Sequence, residues 1–193
     1  MSSELAATFS RYLTLQQALA PSYVDDASLP PFPGPPASDA ELAALAAAIG
    51  PLGPSLEAVL RVANGVRKFN LFSVDLLSTT QLASAREDDT RWLGRVLDEV
   101  IDDVDDDAEL QAMLQALLAA NPVVFGAASA RADLVLLHRA TPDADWAVSQ
   151  LVNNRWWELP DNTFPTILDW LEALLGGATA DAASKAIVMP ADR

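Results

Sequence analysis

The chain contains one histidine, His138, and no cysteine, and these two counts limit the chemistry it can perform. Without cysteine there is no thiolate nucleophile and no disulfide. A single imidazole cannot form a histidine-rich metal site within one chain, and any serine triad would have to include it. Leu134, Leu136 and His138 share one face of a predicted strand. This position at the end of an apolar row indicates a structural role for His138 and not that of a general base.

Other motifs that support catalysis are not found in the sequence. There is no glycine-rich phosphate loop, no Gly-x-Ser-x-Gly elbow and no His-Glu-x-x-His motif. Carboxylates are abundant, but they occur in a charged run without apolar surroundings that would raise the pKa of one of them for acid catalysis. We therefore expect a protein that is not an enzyme and that needs no cofactor.

One acidic stretch, Asp103 to Glu109, has alternating Asp residues like the first half of an EF-hand loop. Such a loop needs Gly at its sixth position and a bidentate Glu at its twelfth, where this chain has Ala108 and Leu114. We therefore predict no metal site and favour an acidic connector between two helices. A loose divalent-cation site is the alternative.

Acidic charge is concentrated in one part of the chain. The formal net charge is −15, and residues 86–109 contain 11 acidic and 3 basic residues, a net charge of −8. Such a surface repels nucleic acid and attracts basic proteins. Solubility is the alternative explanation, but evenly spread charge would suffice for it. We predict that the partner-binding residues include Asp98, Glu99, Asp102, Asp103, Asp105, Asp106 and Asp107.

Three tryptophans form a second set of candidate binding residues. Trp156 and Trp157 are adjacent in a predicted strand, so their side chains point to opposite faces of a sheet. If one of them belongs to the core, the other is either covered by a helix or exposed as an aromatic anchor for a partner. The same two alternatives apply to Trp146. We therefore include Trp146, Trp156 and Trp157 among the candidate partner-binding residues.

A helical hairpin is the first element that could position these residues. Ser38 and Glu41 match a capping box that begins one helix, and Gly50 is suited to end it. Pro54 is suited to the first turn of a second helix, which ends at Asn64-Gly65. Both helices have apolar residues along one side, which indicates that they pack on a common core.

The hydrophobic period then distinguishes the remaining helices from the strands. Helical spacing predicts an N-terminal amphipathic helix within residues 1–20, a helix that begins near Ser78, and an acidic helical insert over residues 86–120. It also predicts a closing helix from Phe164 to Leu175. This helix is capped by Asn162 or Thr163 and ended by Gly176-Gly177. Strand spacing predicts strands from Phe69 to Val74, Val123 to Phe125, Leu134 to His138, Trp146 to Val152 and Arg155 to Glu158. The fold class is therefore predicted as α+β, with a mainly antiparallel sheet packed with helices.

Composition also predicts where the main domain begins and ends. Residues 21–36 are rich in proline and favour an extended linker, because proline denies hydrogen bonds to both helix and sheet. An SH3-type ligand is the weaker alternative, since no basic residues flank the prolines. Residues 177–193 are small and weakly periodic, which predicts a flexible tail. One domain over residues 37–176 remains.

Cellular location is predicted from what the sequence lacks. The first residues have neither the basic start nor the apolar core of a signal peptide. No apolar run reaches the ~20 residues that a membrane helix needs. The lack of cysteine suits a reducing compartment. We therefore expect a soluble, cytoplasmic protein that does not bind a membrane.

Several of these segments, in their order and spacing, resemble the opening of SUKH domains. They are Pro36 to Leu42, Leu56 to Leu60, Asn64-Gly65 and Leu71 to Ser73. Phe164, Ile167, Leu168, Trp170 and Leu171 are similar to the closing helix of that family. The acidic insert between Arg86 and Ala120 departs from the family's minimal pattern.

The SUKH superfamily includes fungal cell-wall-assembly regulators and many bacterial toxin-immunity proteins. The resemblance implies a SUKH-like domain that acts as a bacterial immunity protein, binding and neutralising a cognate toxin that is basic and nuclease-like. The alternative is an intracellular scaffold or regulatory module that binds a partner protein without inhibiting a toxin. The identity of the partner and the oligomeric state are left open by the sequence.

Overall fold

The fold is built on an antiparallel sheet whose strands follow one another in chain order. In the computed structural model, the described residues are 2–20, 32–69, 74–84, 93–94, 96, 107–128, 133–151, 155, 158 and 160–184. Within them the strands are β1 (Phe32–Pro33), β2 (Val66–Arg67), β3 (Asp75–Leu76), β4 (Val123–Ala127), β5 (Leu134–His138), β6 (Ala147–Leu151) and β7 (Thr163–Phe164). Each strand pairs antiparallel with the next.

Helices cover both faces of this sheet. In the described part of the chain they are α1 (Ser2–Leu19), α2 (Asp39–Ile49), α3 (Gly53–Val62), α4 (residues 79–84), α5 (Ala108–Ala119) and α6 (Ile167–Ser184). The α+β fold with an antiparallel sheet is therefore confirmed. None of the described helices has the length and apolar character needed to cross a membrane.

The main hydrophobic core lies on the sheet face that packs against α1, α3 and α6. The predicted N-terminal helix is present as α1, and its Phe9 and Tyr12 are buried in this core. Phe69, between β2 and β3, lies among aromatic side chains from both terminal helices. Its ring centroid is 6.0 Å from that of Phe9, 4.9 Å from that of Tyr12 and 5.4 Å from that of Trp170 on α6. Residues far apart in sequence therefore share one aromatic cluster.

A second core lies on the opposite face of the sheet. Leu134 and Leu136 of β5 point to this side, whereas Val135 and Leu137 point to the main core, as strand alternation requires. The second core is closed by α5 and by Leu93; it contains Leu93, Leu110, Leu114, Leu117, Val124, Leu134, Leu136 and Leu151. The predicted helix in the second half of the acidic insert is confirmed as α5. This part of the insert is therefore a covering layer of the sheet.

The predicted helical hairpin is formed by α2 and α3. The capping box is present: the Ser38 backbone N–H donates to Glu41 Oε2 at 2.8 Å, and the Glu41 N–H donates to Ser38 Oγ at 3.3 Å. The first of these bonds lowers the pKa of Glu41 below its usual value. At the same end of the hairpin, Arg61 near the end of α3 binds Asp39 in the first turn of α2 at 2.8 Å. The two helices are thus antiparallel and joined where the hairpin opens.

The side chain of Asn64 connects this hairpin to α4. Its Oδ1 accepts from the Thr79 backbone N–H at 2.7 Å, and its Nδ2 donates to Glu41 Oε1 at 3.0 Å and to Thr79 Oγ1 at 3.1 Å. Ser78 begins α4 as predicted, with its N–H donating to Gln81 Oε1 at 2.9 Å. The amide of Asn64 therefore holds the starts of two helices together.

Two predictions near the first strands are wrong. Phe69 to Val74 is not one strand: the described residues on either side form a hairpin, in which the Phe69 N–H donates to the Val74 carbonyl at 2.7 Å. Residues 70–73 lie outside the described part. The end of the predicted linker is also not a tether, because Phe32–Pro33 pairs with Val66–Arg67. Pro33 is tolerated there because β1 is an edge strand. Residues 21–31 lie outside the described residues.

Three predictions near the C-terminus are also wrong: the strand from Arg155 to Glu158, the helix cap at Asn162 or Thr163, and the helix end at Gly176-Gly177. Arg155 and Glu158 are not in a strand; the last strand is Thr163–Phe164, and Thr166 caps the closing helix by accepting from the Asp169 N–H at 3.1 Å. The closing helix continues through Gly176-Gly177 to Ser184, because its later turns bury Ala178 and Ala182 in the main core. Residues 177–184 are therefore helical, and residues 185–193 lie outside the described chain.

Phe69→Ala should lower the free energy of unfolding by about 3–5 kcal/mol, because it empties the centre of the aromatic cluster. Phe32→Ala is the matched control: Phe32 is 47% exposed, whereas Phe69 is fully buried. The control should change stability by no more than about 0.5 kcal/mol. Urea unfolding followed by tryptophan fluorescence measures both. Similar losses in the two variants would contradict the central position of Phe69.

Gly65→Val should lower the free energy of unfolding by about 1–3 kcal/mol, because a β-branched residue is strained at positive φ. The φ of Gly65 is +85°, and a Cβ added there would lie 3.0 Å from the Ser78 backbone nitrogen. Gly176→Ala is the control, since Gly176 is helical with open space around it. That change should raise stability by about 0.5–1 kcal/mol. Equal unfolding midpoints for wild type and Gly65→Val would refute the expectation.

Candidate partner-binding surface

The acidic candidates are only partly within the described residues. Asp98, Glu99, Asp102, Asp103, Asp105 and Asp106 lie outside them, and Asp107 lies inside. Asp107 is exposed and is the N-cap of α5, where its Oδ1 accepts from the Leu110 N–H at 3.0 Å. Its carboxylate thus has a structural role, and it also lies next to the other acidic candidates in sequence.

The described residues on both sides of the acidic run pack on the same face of the sheet. On one side Leu93 is 1% exposed, and Val96 packs against the second core. On the other side Leu110 is 3% exposed in the same core. The acidic run is therefore connected at both ends to one folded layer, as a binding segment of defined location requires.

Trp146 is a core residue and not an exposed anchor. It is 3% exposed, and its indole N–H donates to the Leu52 carbonyl. The Arg139 guanidinium carbon lies 4.2 Å from the indole ring centroid, and Arg139 Nη1 donates to the Pro51 carbonyl at 2.8 Å. Trp146 and Arg139 therefore fasten the turn between α2 and α3 to the β5–β6 hairpin. Trp156 and Trp157 lie outside the described residues.

His138 belongs to a row of polar side chains across β5, β6 and β7. Its Nε2 lies 3.0 Å from Ser149 Oγ, which in turn lies 2.8 Å from Thr163 Oγ1. Ser149 is 1% exposed, so a substrate has no access to its hydroxyl. Burial lowers the pKa of His138 below its usual value. The geometry supports the structural role predicted for His138, with Ser149 and Thr163 as partners that the sequence analysis did not identify.

An open groove of about 380 Å³ separates α2 from α4. Its lining residues are mostly small or apolar: Glu41, Ala44, Leu45, Thr79, Thr80, Ala83 and Ser84. The one ionisable group in the lining is Glu41, whose carboxylate is engaged by Ser38 and Asn64. The part of the groove that the structure describes therefore offers no free acid or base. Within the described residues, no group of three His, Asp or Glu side chains is arranged to hold a metal ion.

A different surface combines an exposed aromatic ring with a cation. Phe32 is the large hydrophobic side chain that is exposed among the described residues, and the Arg67 guanidinium carbon lies 6.0 Å from its ring centroid. The sequence analysis missed this pair, since Phe32 followed prolines that were assigned to a linker. Phe32 and Arg67 are neighbours because they are paired across β1 and β2, and this pairing is known only from the folded chain.

Comparison of the sequence with protein-family models finds no matching family, and comparison with curated proteins finds no matching relative. The resemblance to SUKH domains therefore stays a prediction, carried by the segments described above.

His138→Gln should remove a loss of stability at acidic pH. Because burial lowers the pKa of His138 in the folded state, the unfolded chain binds a proton first as the pH falls. The stability of the wild type should therefore be complete above the unfolded pKa of about 6.5 and decrease as the pH falls below it. Urea unfolding between about pH 5.5 and 7.5 measures this slope, since histidine is the side chain that normally titrates there.

His138 is the only histidine in the chain, so the difference between wild type and variant isolates its titration. Gln keeps a polar group that can bond Ser149 Oγ, which limits the loss of packing. An equal slope in both proteins would show that other groups cause the pH dependence.

Proposed function

We propose that this protein is a non-catalytic binding protein whose acidic segment binds a basic partner protein. The observation that carries the proposal is the net charge of −8 in residues 86–109, about half of the chain's total of −15. The helix and the leucine that flank the central acidic run are buried on one face of the sheet. The charge is therefore attached to a folded layer at both ends.

Clustered charge acts mainly on the rate of association. Its field steers an oppositely charged partner toward the segment and raises the encounter rate, most strongly at low ionic strength. Screening limits the field to about 8 Å at physiological salt. Residence time depends instead on apolar contacts that exclude water.

The partner that we propose is a basic, nuclease-like toxin domain, which the chain binds and neutralises as a bacterial immunity protein. The resemblance to SUKH domains supports this choice, and so does the charge, because a nuclease must attract the phosphates that an acidic inhibitor imitates in sign. The burial of Ser149, the hydroxyl partner of His138, supports a binding role over catalysis, since a substrate cannot reach this hydroxyl.

Neutralising part of the acidic segment should slow association with the partner about tenfold at low salt and flatten its salt dependence. The variant combines Asp98→Asn, Glu99→Gln, Asp102→Asn and Asp103→Asn. Asp107 is left unchanged because it caps α5. The partner is captured from the native host with the tagged chain, and stopped-flow mixing measures the association rate. Dissociation should change much less than association.

The control removes the same number of charges elsewhere, at exposed carboxylates: Glu4→Gln, Asp143→Asn, Asp161→Asn and Glu172→Gln. It should bind at nearly the wild-type rate. Equal effects of the two variants would show that overall charge, and not the segment, controls binding. The immunity function fails if the captured protein does not arrest growth when produced alone, or if co-production of this chain does not restore growth.

A further inference from the structure

The surface formed by Phe32 and Arg67 differs in charge from the rest of this acidic protein. The two residues are paired across β1 and β2, so their side chains project from the same face of the sheet. Both are exposed, and Phe32 retains 47% of its accessible surface. An aromatic ring and a guanidinium placed side by side are the residue types that dominate protein interfaces.

The guanidinium of Arg67 is not neutralised within the described residues. Arg61 binds Asp39 and Glu57, and Arg155 binds Glu158, but no described carboxylate forms an ion pair with Arg67. This is notable in a chain with 27 acidic and 12 basic residues.

The carboxylate of Asp75 explains why Arg67 has no such partner. Val66 pairs with Leu76, and this register places Asp75 across from Arg67. However, Asp75 Oδ1 accepts from the Lys68 backbone N–H at 2.6 Å. It thereby stabilises the turn at Lys68, where φ is 53°. Asp75 thus bonds the backbone of the turn, and among the described residues it forms no ion pair with Arg67.

The main chain of β1 limits how a partner can bind. Gly34 donates to the Gly65 carbonyl at 2.8 Å, so β1 is fixed to β2 on its inner side. Pro33 has no N–H, and the strand is only two residues long. Such an edge is a poor template for an added strand. Recognition here must therefore use the side chains.

We propose that Phe32 and Arg67 bind a segment of a protein partner in which a Glu or Asp lies next to an aromatic or apolar residue. The Arg67 guanidinium can donate hydrogen bonds to both oxygens of one carboxylate, and the Phe32 ring can cover the adjoining apolar group. Charge complementarity selects the carboxylate, because no carboxylate of the described residues is paired with Arg67. This site uses none of the residues of the acidic segment, so its test is independent of the proposed function.

The probe is the peptide acetyl-Glu-Phe-Glu-amide, titrated into the isotope-labelled full chain and followed by NMR chemical shifts. Shifts should concentrate around Phe32 and Arg67. Arg67→Gln should weaken binding about threefold, the size expected for one exposed ion pair. Phe32→Ala should weaken binding to a similar degree. The chain's net charge of −15 repels this peptide in general, so binding at the site cannot come from overall attraction.

Two controls determine whether the effect belongs to this pair. The peptide acetyl-Gln-Phe-Gln-amide should bind the wild type about as weakly as the charged peptide binds Arg67→Gln. The variant Arg11→Gln, which removes an exposed arginine on α1, should bind the charged peptide about as well as the wild type. The proposal is overturned by any one of three results: no shift at the pair, equal binding of the two peptides, or an equal loss in Arg11→Gln.

Discussion

The contact of the Phe69 ring with Phe9, Tyr12 and Trp170 connects the two ends of the chain through the main core. Phe69 itself lies in the hairpin between β2 and β3, so the cluster also sets the position of the first strands of the sheet. Removing four large aromatic surfaces from water is among the strongest local contributions that this core can make. The polar atoms within it are satisfied as well, since the Trp170 N–H donates to Gln150 Oε1 at 2.9 Å.

The second core has a different consequence, because it gives the acidic insert a structural purpose. Leucines of α5 cover the face of β5 that the main core leaves open. The described residues on either side of the central acidic run, Leu93 and Leu110, are both buried in this core. The most acidic part of the sequence is thus flanked by residues of one apolar layer.

The surface thereby acquires two regions of opposite character. One is the acidic segment, for which we propose a basic partner steered by its charge. The other is the pair of Phe32 and Arg67, which suits a carboxylate beside an apolar group and acts through contact. The first rests on composition, whereas the second exists only because two short strands align these residues. Both regions enter the proposals as sites for protein partners.

Local signals in the sequence determined the helix starts and the central strands. The capping box at Ser38 is made by residues three positions apart, so no tertiary information is needed to recognise it. Gly50 and Gly65 adopt positive φ at the ends of their helices for the same local reason. The alternation from Leu134 to Leu137 likewise assigns each side chain to one of the two cores.

Tertiary contacts decided the features that the sequence alone misrepresented. Continuing a helix through Gly176-Gly177 costs about 1 kcal/mol per glycine relative to alanine, so an isolated helix would end there. Here Ala178 and Ala182 pack in the main core, and this packing continues the helix past both glycines. In the same way, Trp146 is buried against Leu52, which is 94 residues away in sequence, and under the guanidinium of Arg139. The sequence determines which residues are apolar, but long-range packing determines which of them meet.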